Sequence, residues 1–410
     1  MKFEFFLAKR IISTKAYKSS ISAPIIKIGI VAIALSVIVM LVSISTGIGL
    51  QNEIRDKVSA FNGHIKITNF DSNNSEESIY PIKITKSLLQ GLDSISNVES
   101  INQIALKFGI IRTSEDFDGA LFKGVDSIYS WNNISDYIIS GFIPNISSTI
   151  SNEVLISDNL SNKLGLKIND SFQMIFSRNL ESNVTLRKFN IVGLYDSGFN
   201  EIDENIIFGD IKHLRRINKW NDNQSGELEI FIDDFNLIEE TSKMIYSSTP
   251  SNYNSINIKQ KYSSIFDWIQ IFDKNILAIL FIMVLVCSIN IISVLLVLIL
   301  ERTNMIGILK SMGAEKSTIK KVFLIIVSYI IFLGLLIGNV VGLGFLLIQK
   351  KFSLVKLDPE IYYTYEVPVY LSIDYVFVLN FFTFLVCLFS IAVPSYLISK
   401  ISPIDSIKFR

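Results

Sequence analysis

The stretch NILAILFIMVLVCSINIISVLLVLIL, which covers residues 275–300, contains no Lys, Arg, Asp or Glu. A bilayer core about 30 Å thick is crossed by roughly 20 helical residues, whose backbone polar groups are hydrogen bonded inside the helix. Residues 28–46, 322–349 and 375–399 meet the same demand. The sequence therefore predicts four transmembrane helices, one before and three after a long polar segment.

The overall composition agrees with a membrane protein. Hydrophobic residues make up 50% of the 410 residues, and the mean hydropathy is +0.43. Such values are high for a soluble protein. The first apolar run is longer than the 7–15 residues of a signal-peptide core, so we interpret it as a retained anchor.

Positive charges next to the predicted spans indicate their orientation, because cytoplasmic flanks carry an excess of Lys and Arg. The N-terminal segment, the loop 301–321 and the tail 400–410 all have this excess. Both termini are therefore predicted to be cytoplasmic. The predicted organisation is a cytoplasmic amphipathic segment (1–24), first span (25–48), extracytoplasmic domain (49–274), second span (275–300), cytoplasmic loop (301–321), third span (322–349), outer loop (350–374), fourth span (375–399) and cytoplasmic tail (400–410).

The extracytoplasmic domain has the mixed pattern of an α/β fold. Apolar residues at helical spacing continue past the first span and precede the second, which predicts rigid stalks at 49–61 and 261–274. Two α/β parts, 62–126 and 225–260, flank a strand-rich insert at 127–224. The expected fold is a membrane α-helical protein, with four transmembrane helices in a one-plus-three layout and a large α/β domain of two subdomains.

Charge and motif content exclude several functions for this domain. Residues 49–270 contain 20 Lys plus Arg and 29 Asp plus Glu, and 20 minus 29 gives a net charge of −9, which makes nucleic acid an improbable ligand. No catalytic signature, P-loop or metal-binding motif is found, and His64 and His213 are far apart in the sequence. Cys287 and Cys387 lie inside predicted spans, where we expect packing rather than a disulfide or a metal site.

The loop 301–321 is the most informative segment for function. Its apolar residues fall at three- and four-residue spacing, which predicts a short helix that ends at Gly313. The helix could rest on lipid headgroups, or it could dock into a cleft of an ATPase as a coupling helix. The residues assigned to this ATPase-coupling site are Glu301, Arg302, Met305, Ile308, Leu309, Met312 and Gly313.

Four motifs along the chain resemble those of the FtsX-like permease superfamily, and in particular those of its lipoprotein-releasing LolC/LolE branch. They are the segment from Glu301-Arg302 to Gly313-Ala314, FNGHI at 61–65, LDPEIYY at 357–363 followed by VPV at 367–369, and PS at 394–395 with ISPI at 401–404. The resemblance covers essentially the whole chain. It implies a MacB-like periplasmic core, with 62–126 and 225–260 as its porter-like part.

The resemblance implies a permease subunit, not an enzyme, in the bacterial inner membrane. It would extract lipoproteins together with a second permease subunit, of the same or a sister chain, while two copies of a cytoplasmic ATPase bind ATP and Mg. In LolC-like members a proline-containing hairpin is implied to dock a periplasmic carrier. Residues 174–187 are short and polar here and lack proline, which favours a LolE-like or single-type member.

Lipoprotein acyl chains would require an apolar cavity that opens sideways to lipid. The first and second spans adjoin the predicted stalks, so their faces are the candidates for lining it. The residues assigned to this substrate cavity are Val37, Met40, Leu41, Ile44, Ile289 and Leu296.

Two other functions remain open. A MacB-type efflux permease normally carries its ATPase on the same chain, which this sequence lacks. An FtsX-like transducer, which activates a cell-wall hydrolase, usually has an outer domain of about half this size. The neighbouring genes would discriminate among the three functions.

Overall fold

The computed structural model describes residues 3–13, 22–72, 75–113, 116–178, 181–392 and 394. The chain forms two compact units. The helical unit comprises the described residues within Met1–Gln51, Ile269–Lys356 and Glu366–Arg410, and the α/β unit comprises those within Asn52–Trp268 and Leu357–Tyr365.

The secondary structure alternates between the two units along the chain. The described α-helices are α1 Phe3–Ser13, α2 Ser22–Asn62, α3 Lys86–Asp93, α4 Asn132–Ser135, α5 Asp158–Leu164, α6 Asn200–Asp203, α7 Ile211–Asn218, α8 Ile238–Ser248, α9 Ile258–Lys261, α10 Ser263–Glu301, α11 Thr303–Ser311, α12 Lys316–Phe352, α13 Pro359–Tyr362 and α14 Ile373–Ser390. The described strands are β1 Ile65–Asn69, β2 Ile82–Lys83, β3 Val98–Arg112, β4 Phe117–Val125, β5 Ile138–Gly141, β6 Glu153–Ser157, β7 Ser171–Arg178, β8 Glu181–Tyr195, β9 Ile206–Asp210, β10 Gln224–Ser225, β11 Glu227–Ile232 and β12 Tyr253–Asn257.

Four of the described helices, α2, α10, α12 and α14, are long and apolar enough to cross a membrane. The prediction of four spans is therefore confirmed. The helices α2 and α10 are continuous through their predicted stalks, and α2 ends at Asn62 before Gly63, which has a left-handed φ of 71°. The predicted tail 400–410, the end of the fourth span and residues 14–21 lie outside the described residues.

Small residues bring the helices of the helical unit close together. Gly334, Gly338 and Gly342 recur every four residues on α12 and face α2. A Cβ at Gly338 would lie 2.8 Å from the Val37 Cβ, so the two backbones approach at a distance that only glycine allows. The amphipathic helix α1 packs on α12 and buries Ala8 completely.

The α/β unit is built on one large mixed sheet. Its strand order is β12-β1-β11-β3-β4-β9-β6-β8-β5, and β7 pairs with both β3 and β8. Most pairs are antiparallel, whereas β4 with β9 and β6 with β8 are parallel. Because β4 pairs with β9 and β3 with β7, this sheet joins the predicted insert to the porter-like part. The predicted bounds of the two subdomains stay predictions.

Local capping explains several elements of the α/β unit. The helix α5 begins where the Ser157 side chain accepts a hydrogen bond from the Leu160 N–H, and it ends at Gly165 with φ 63°. The sequence predicts a helix over residues 158–164 that ends at a glycine, and the structure confirms it. The helix α7, for which Asp210 is the N-cap, was not predicted; its buried Ile211, Leu214 and Ile217 complete the core beneath the sheet.

Candidate functional site

The candidate coupling site is the short helix α11 between the second and third candidate spans. The chain breaks direction at Arg302, whose φ and ψ are −102° and 17°, and helical hydrogen bonding resumes when the Ile306 N–H donates to the Arg302 carbonyl. At the other end, the N–H of Gly313 donates to Lys310 O and that of Ala314 to Leu309 O. This is a Schellman motif, and the φ of Gly313 is 88°.

The structure divides the predicted apolar stripe of α11 into two sets. Ile308 and Met312 point outward and are 52% and 78% exposed. Leu309 packs against the core of the helical unit, and Met305 is half-buried. The prediction missed Ile306, which is fully buried. A signal for it was its three-residue spacing from Leu309, which places both side chains on one helical face.

Polar and charged residues lie close in sequence to the exposed pair on α11. Ser311 is exposed and Lys310 is half-buried, and Glu301 is exposed just before the helix. Burial, and then the nearby Lys316, lower the pKa of Lys310. Two exposed apolar side chains one helical turn apart match the anchors that a helix uses in a partner's groove. The assignment of Glu301, Arg302, Met305, Ile308, Leu309, Met312 and Gly313 to ATPase coupling stays a prediction.

The predicted cavity residues lie in different environments within the helical unit. Val37, Met40 and Leu41 are at most 2% exposed and belong to its packed core. Ile44 and Leu296 are half-buried, whereas Ile289 is 62% exposed. Within the single chain, the six residues are therefore distributed over packed, half-buried and exposed positions. Their role in a substrate cavity stays a prediction.

Buried charges surround the end of α2 in the α/β unit. The Lys123 Nζ donates to the Phe61 carbonyl at 2.7 Å and to both Glu229 carboxylate oxygens at 2.8 Å. The Lys66 Nζ lies 3.3 Å from Glu229 Oε1. Lys123 thus holds the last turn of the helix, where a cation is favoured by the carbonyls that lack partners. The prediction missed this cluster, because charged residues are ordinarily exposed.

Burial and charge pairing oppose each other in this cluster. Burial lowers the pKa of Lys123 to about 8, although Glu229 acts in the opposite direction. For Lys66, burial acts to lower the pKa, but Glu229 and Glu227 outweigh it and raise the value. Burial would raise the pKa of Glu229, yet the two lysines lower it. The carboxylate is therefore charged and links both lysines across the sheet.

Both histidines are buried to different degrees. The Ile232 N–H donates to His64 Nδ1 at 3.0 Å, and burial and then Arg55 lower the pKa of His64 to about 4. His213 is 2% exposed, with Nε2 2.8 Å from the Ser151 carbonyl. No metal-binding group of His, Cys, Asp and Glu occurs among the described residues. Cys287 and Cys387 are both buried in the core of the helical unit, which agrees with the packing role expected for them.

Comparison with known proteins finds similarity to one family of permeases. Residues 277–403 match the family described as FtsX-like permease C-terminal. Over 389 residues the chain is 26% identical to the lipoprotein-releasing system transmembrane protein LolC of Buchnera aphidicola subsp. Schizaphis graminum, covering 92% of each chain. The C-terminal part of the chain is therefore similar to the FtsX-like permeases. It is also 19% identical to LolC of Xylella fastidiosa strain 9a5c, with 93% of each chain covered.

Among solved structures, the α/β unit is similar to the periplasmic region of MacB from Actinobacillus actinomycetemcomitans. The identity is 12%, the TM-score is 0.35, and the match covers 50% of this chain and 95% of the other. The four apolar helices agree with the multi-pass inner-membrane placement of such permeases. The similarity to LolC proteins agrees with the predicted resemblance to the LolC/LolE branch, while the LolE-like or single-type assignment stays a prediction.

Proposed function

We propose that this permease extracts lipoproteins from the outer leaflet of the inner membrane for delivery towards the outer membrane. The observation that carries the proposal is the similarity to a lipoprotein-releasing protein over 92% of both chains. That alignment is too long to reflect the spans alone, since it also includes the α/β unit. A generic membrane anchor would not account for it.

The energy for extraction comes from a partner chain. Withdrawing an acyl chain from a bilayer costs about 0.8 kcal/mol per CH₂, and this sequence has no P-loop that could bind ATP. Two copies of a separate ATPase bind ATP and Mg, and the exposed Ile308 and Met312 of α11 dock into them. Closure of the ATPases moves α11, and the continuous helix α10 transmits the movement to its stalk.

The acyl chains lie against apolar faces that this chain shares with a second permease subunit. Ile289, which is 62% exposed, is the cavity residue that tests this most directly. Met40 is unsuitable, because a charge inside the packed core would disturb helix packing. We expect Ile289→Asp to insert normally and to lose lipoprotein crosslinking, whereas Ile289→Leu retains it. Unchanged crosslinking in Ile289→Asp would place the cavity elsewhere.

The proposed orientation has both termini in the cytoplasm and residues 49–274 in the periplasm. A membrane-impermeant thiol reagent should then label Asn223→Cys in intact spheroplasts and fail to label Ser406→Cys. The reverse labelling pattern would overturn the orientation.

A separate question is whether a periplasmic carrier docks on this subunit. Adding the carrier to an assay of lipoprotein release from proteoliposomes tests it.

The proposed function is tested by reconstitution of the permease and its ATPase in proteoliposomes. We expect ATP-dependent release of a triacylated lipoprotein, and no release with a non-hydrolysable ATP analogue. ATP-dependent transport of a macrolide without lipoprotein release would support the efflux alternative instead. Activation of a cell-wall hydrolase in the absence of transport would support the transducer alternative.

A further inference from the structure

The loop Leu357–Tyr365 carries the LDPEIYY motif, and its own contacts make it an ordered part of the α/β unit. The Leu357 N–H donates to the Tyr365 carbonyl at 3.0 Å, which closes the loop at its base. Just outside the loop, Lys356 and Glu366 form an antiparallel bridge. The loop is therefore fixed in shape, while its two ends continue covalently towards α12 and α14.

Tyr363 occupies an unfavourable backbone conformation at the tip of this loop. Its φ is 57°, in the left-handed region that is an outlier for a bulky residue. Such a conformation persists only where the surroundings hold it. Here the Tyr363 ring stacks on Phe199, with centroids 4.4 Å apart and an interplanar angle of 18°, and it meets Trp268 edge-on at 5.8 Å.

Polar contacts hold the same point of the loop. The Lys57 Nζ, on a side chain that is 7% exposed, donates to the Tyr363 carbonyl at 3.1 Å. Gly198 has a φ of 67°, and a Cβ there would lie 3.1 Å from that Nζ. The Tyr365 hydroxyl donates to the Asp196 carboxylate at 3.3 Å. A glycine at 198 thus leaves room for the lysine to reach the loop.

Tyr363 therefore joins three segments that are remote in sequence. Lys57 lies in α2, Trp268 lies in α10, and Phe199 precedes α6 next to the insert strand β8. We propose that Tyr363 is a positioning residue that makes the loop a rigid strut. The strut fixes the stalk ends of α2 and α10 to each other and carries their movement to the ends of α12 and α14. This inference rests on the proposed function.

A rigid strut keeps its contact throughout the transport cycle, and covalent rescue tests this. In a Cys287→Ala, Cys387→Ala background, Phe199→Cys with Tyr363→Cys removes the ring stack and places two thiols at the contact. With the ATPase in proteoliposomes, we expect the reduced variant to release several-fold less lipoprotein per ATP hydrolysed. A short bifunctional thiol reagent should restore the ratio.

Two outcomes would overturn the strut. If the crosslink abolishes the remaining release, the contact must open during transport. If the reduced variant already releases lipoprotein at the background ratio, the contact does not position the helices. Tyr363→Phe should behave as wild type because it keeps the ring. If the double variant does not assemble with the ATPase, Tyr363→Asn takes its place in the test. Asparagine tolerates a positive φ but lacks the ring, so this variant should also release less lipoprotein per ATP hydrolysed.

A measurement that does not involve cargo separates this inference from the proposed function. Spin labels at Asn223→Cys and Ser317→Cys, in the same cysteine-free background, report ATP-dependent movement within one chain. If the parent protein shows the ATP-dependent change in label distance but releases no lipoprotein, the proposed function is refuted. The strut is then tested by the effect of Tyr363→Asn on that change in distance. Full movement in Tyr363→Asn would refute the strut.

Discussion

The helical unit and the α/β unit are held together in different ways. The buried core of the helical unit is almost entirely apolar, and its helices approach closely at glycines. Its paired amides, Asn339 and Asn380, exchange hydrogen bonds at 2.6 and 2.9 Å. The α/β unit buries the charged cluster of Lys66, Lys123 and Glu229 beside its apolar core.

The difference follows from the solvent of each unit. Lipid tails are as apolar as leucine, so helices in a bilayer gain cohesion from close packing and a few interhelical hydrogen bonds. In water, burial of apolar surface contributes about 25 cal/mol per Å², which can offset the desolvation of a well-paired ion cluster. The α/β unit therefore tolerates buried charged side chains. The helical unit depends on glycines, which have no side chain and let the helices approach closely.

The largest effect is expected when the buried charge cluster is broken. Glu229→Gln leaves Lys123 and Lys66 buried without their shared carboxylate, so we expect it to destabilise the α/β unit by about 3–5 kcal/mol. Unfolding is followed by tryptophan fluorescence, because Trp131, Trp220 and Trp268 all lie in this unit.

The matched control for this variant is an exposed ion pair. Lys163→Met removes a partner of Asp118, with the pair at 2.7 Å and the lysine side chain 58% exposed. It should change stability very little, because exposed ion pairs are screened by water and contribute little. Similar losses in Glu229→Gln and Lys163→Met would show that burial does not distinguish the two pairs.

A smaller effect is expected from the pH dependence of the α/β unit. Burial, and then the nearby Arg55, lower the pKa of His64 in the folded state to about 4, whereas a free histidine side chain has a pKa of about 6.5. As pH falls below 6.5, the unfolded state binds a proton that the folded state does not, so stability is lost down to about pH 4. The loss is on the order of 3 kcal/mol.

The test compares wild type with His64→Asn over this pH range by tryptophan fluorescence. Burial raises the pKa values of Asp126 and Asp203 to about 6, and these residues act in the opposite direction. The informative quantity is therefore the difference between the two proteins. The stability of wild type minus that of His64→Asn should be constant above pH 6.5 and should decrease as the pH falls towards 4, and a difference independent of pH would contradict the assignment.

The smallest of these effects on stability is expected in the helical unit. Gly338→Ala would place a Cβ 2.9 Å from the Ala34 carbonyl oxygen, and overpacking of this kind costs about 1–3 kcal/mol. Gly344 lies in the same helix, and a Cβ there meets nothing within 4 Å. Thermal unfolding in detergent should show a loss of stability for Gly338→Ala but not for Gly344→Ala. Equal stability of the two variants would refute close packing of α2 on α12.

The parts of the fold that were predictable are those set by local chemistry. The apolar runs identified the spans, and Gly165 identified the end of α5. The buried charges were not predictable, because Lys66 faces Glu229 only through the pairing of β1 with β11, and Lys123 comes from a third strand. Long-range strand pairing cannot be derived from a local pattern.

The site on α11 was predictable in position but not in orientation. Spacing indicated a short helix ending at Gly313, which the structure confirms. Which face of α11 is buried depends on how the helix packs against the rest of the helical unit. This packing buries Ile306 and covers Leu309. The apolar side chains that face outward are therefore Ile308 and Met312, and their role as an anchor for an ATPase stays a prediction.

The central claim is that α11 receives energy from an ATPase, and copurification of that ATPase with Ile308→Asp tests it most directly. The substitution would bury a charge in the partner's groove at a cost of several kcal/mol. We predict a variant that inserts normally, loses the ATPase and releases no lipoprotein, while Ile308→Leu and the exposed control Ser317→Asp retain both. Wild-type ATPase binding and release by Ile308→Asp would contradict the account.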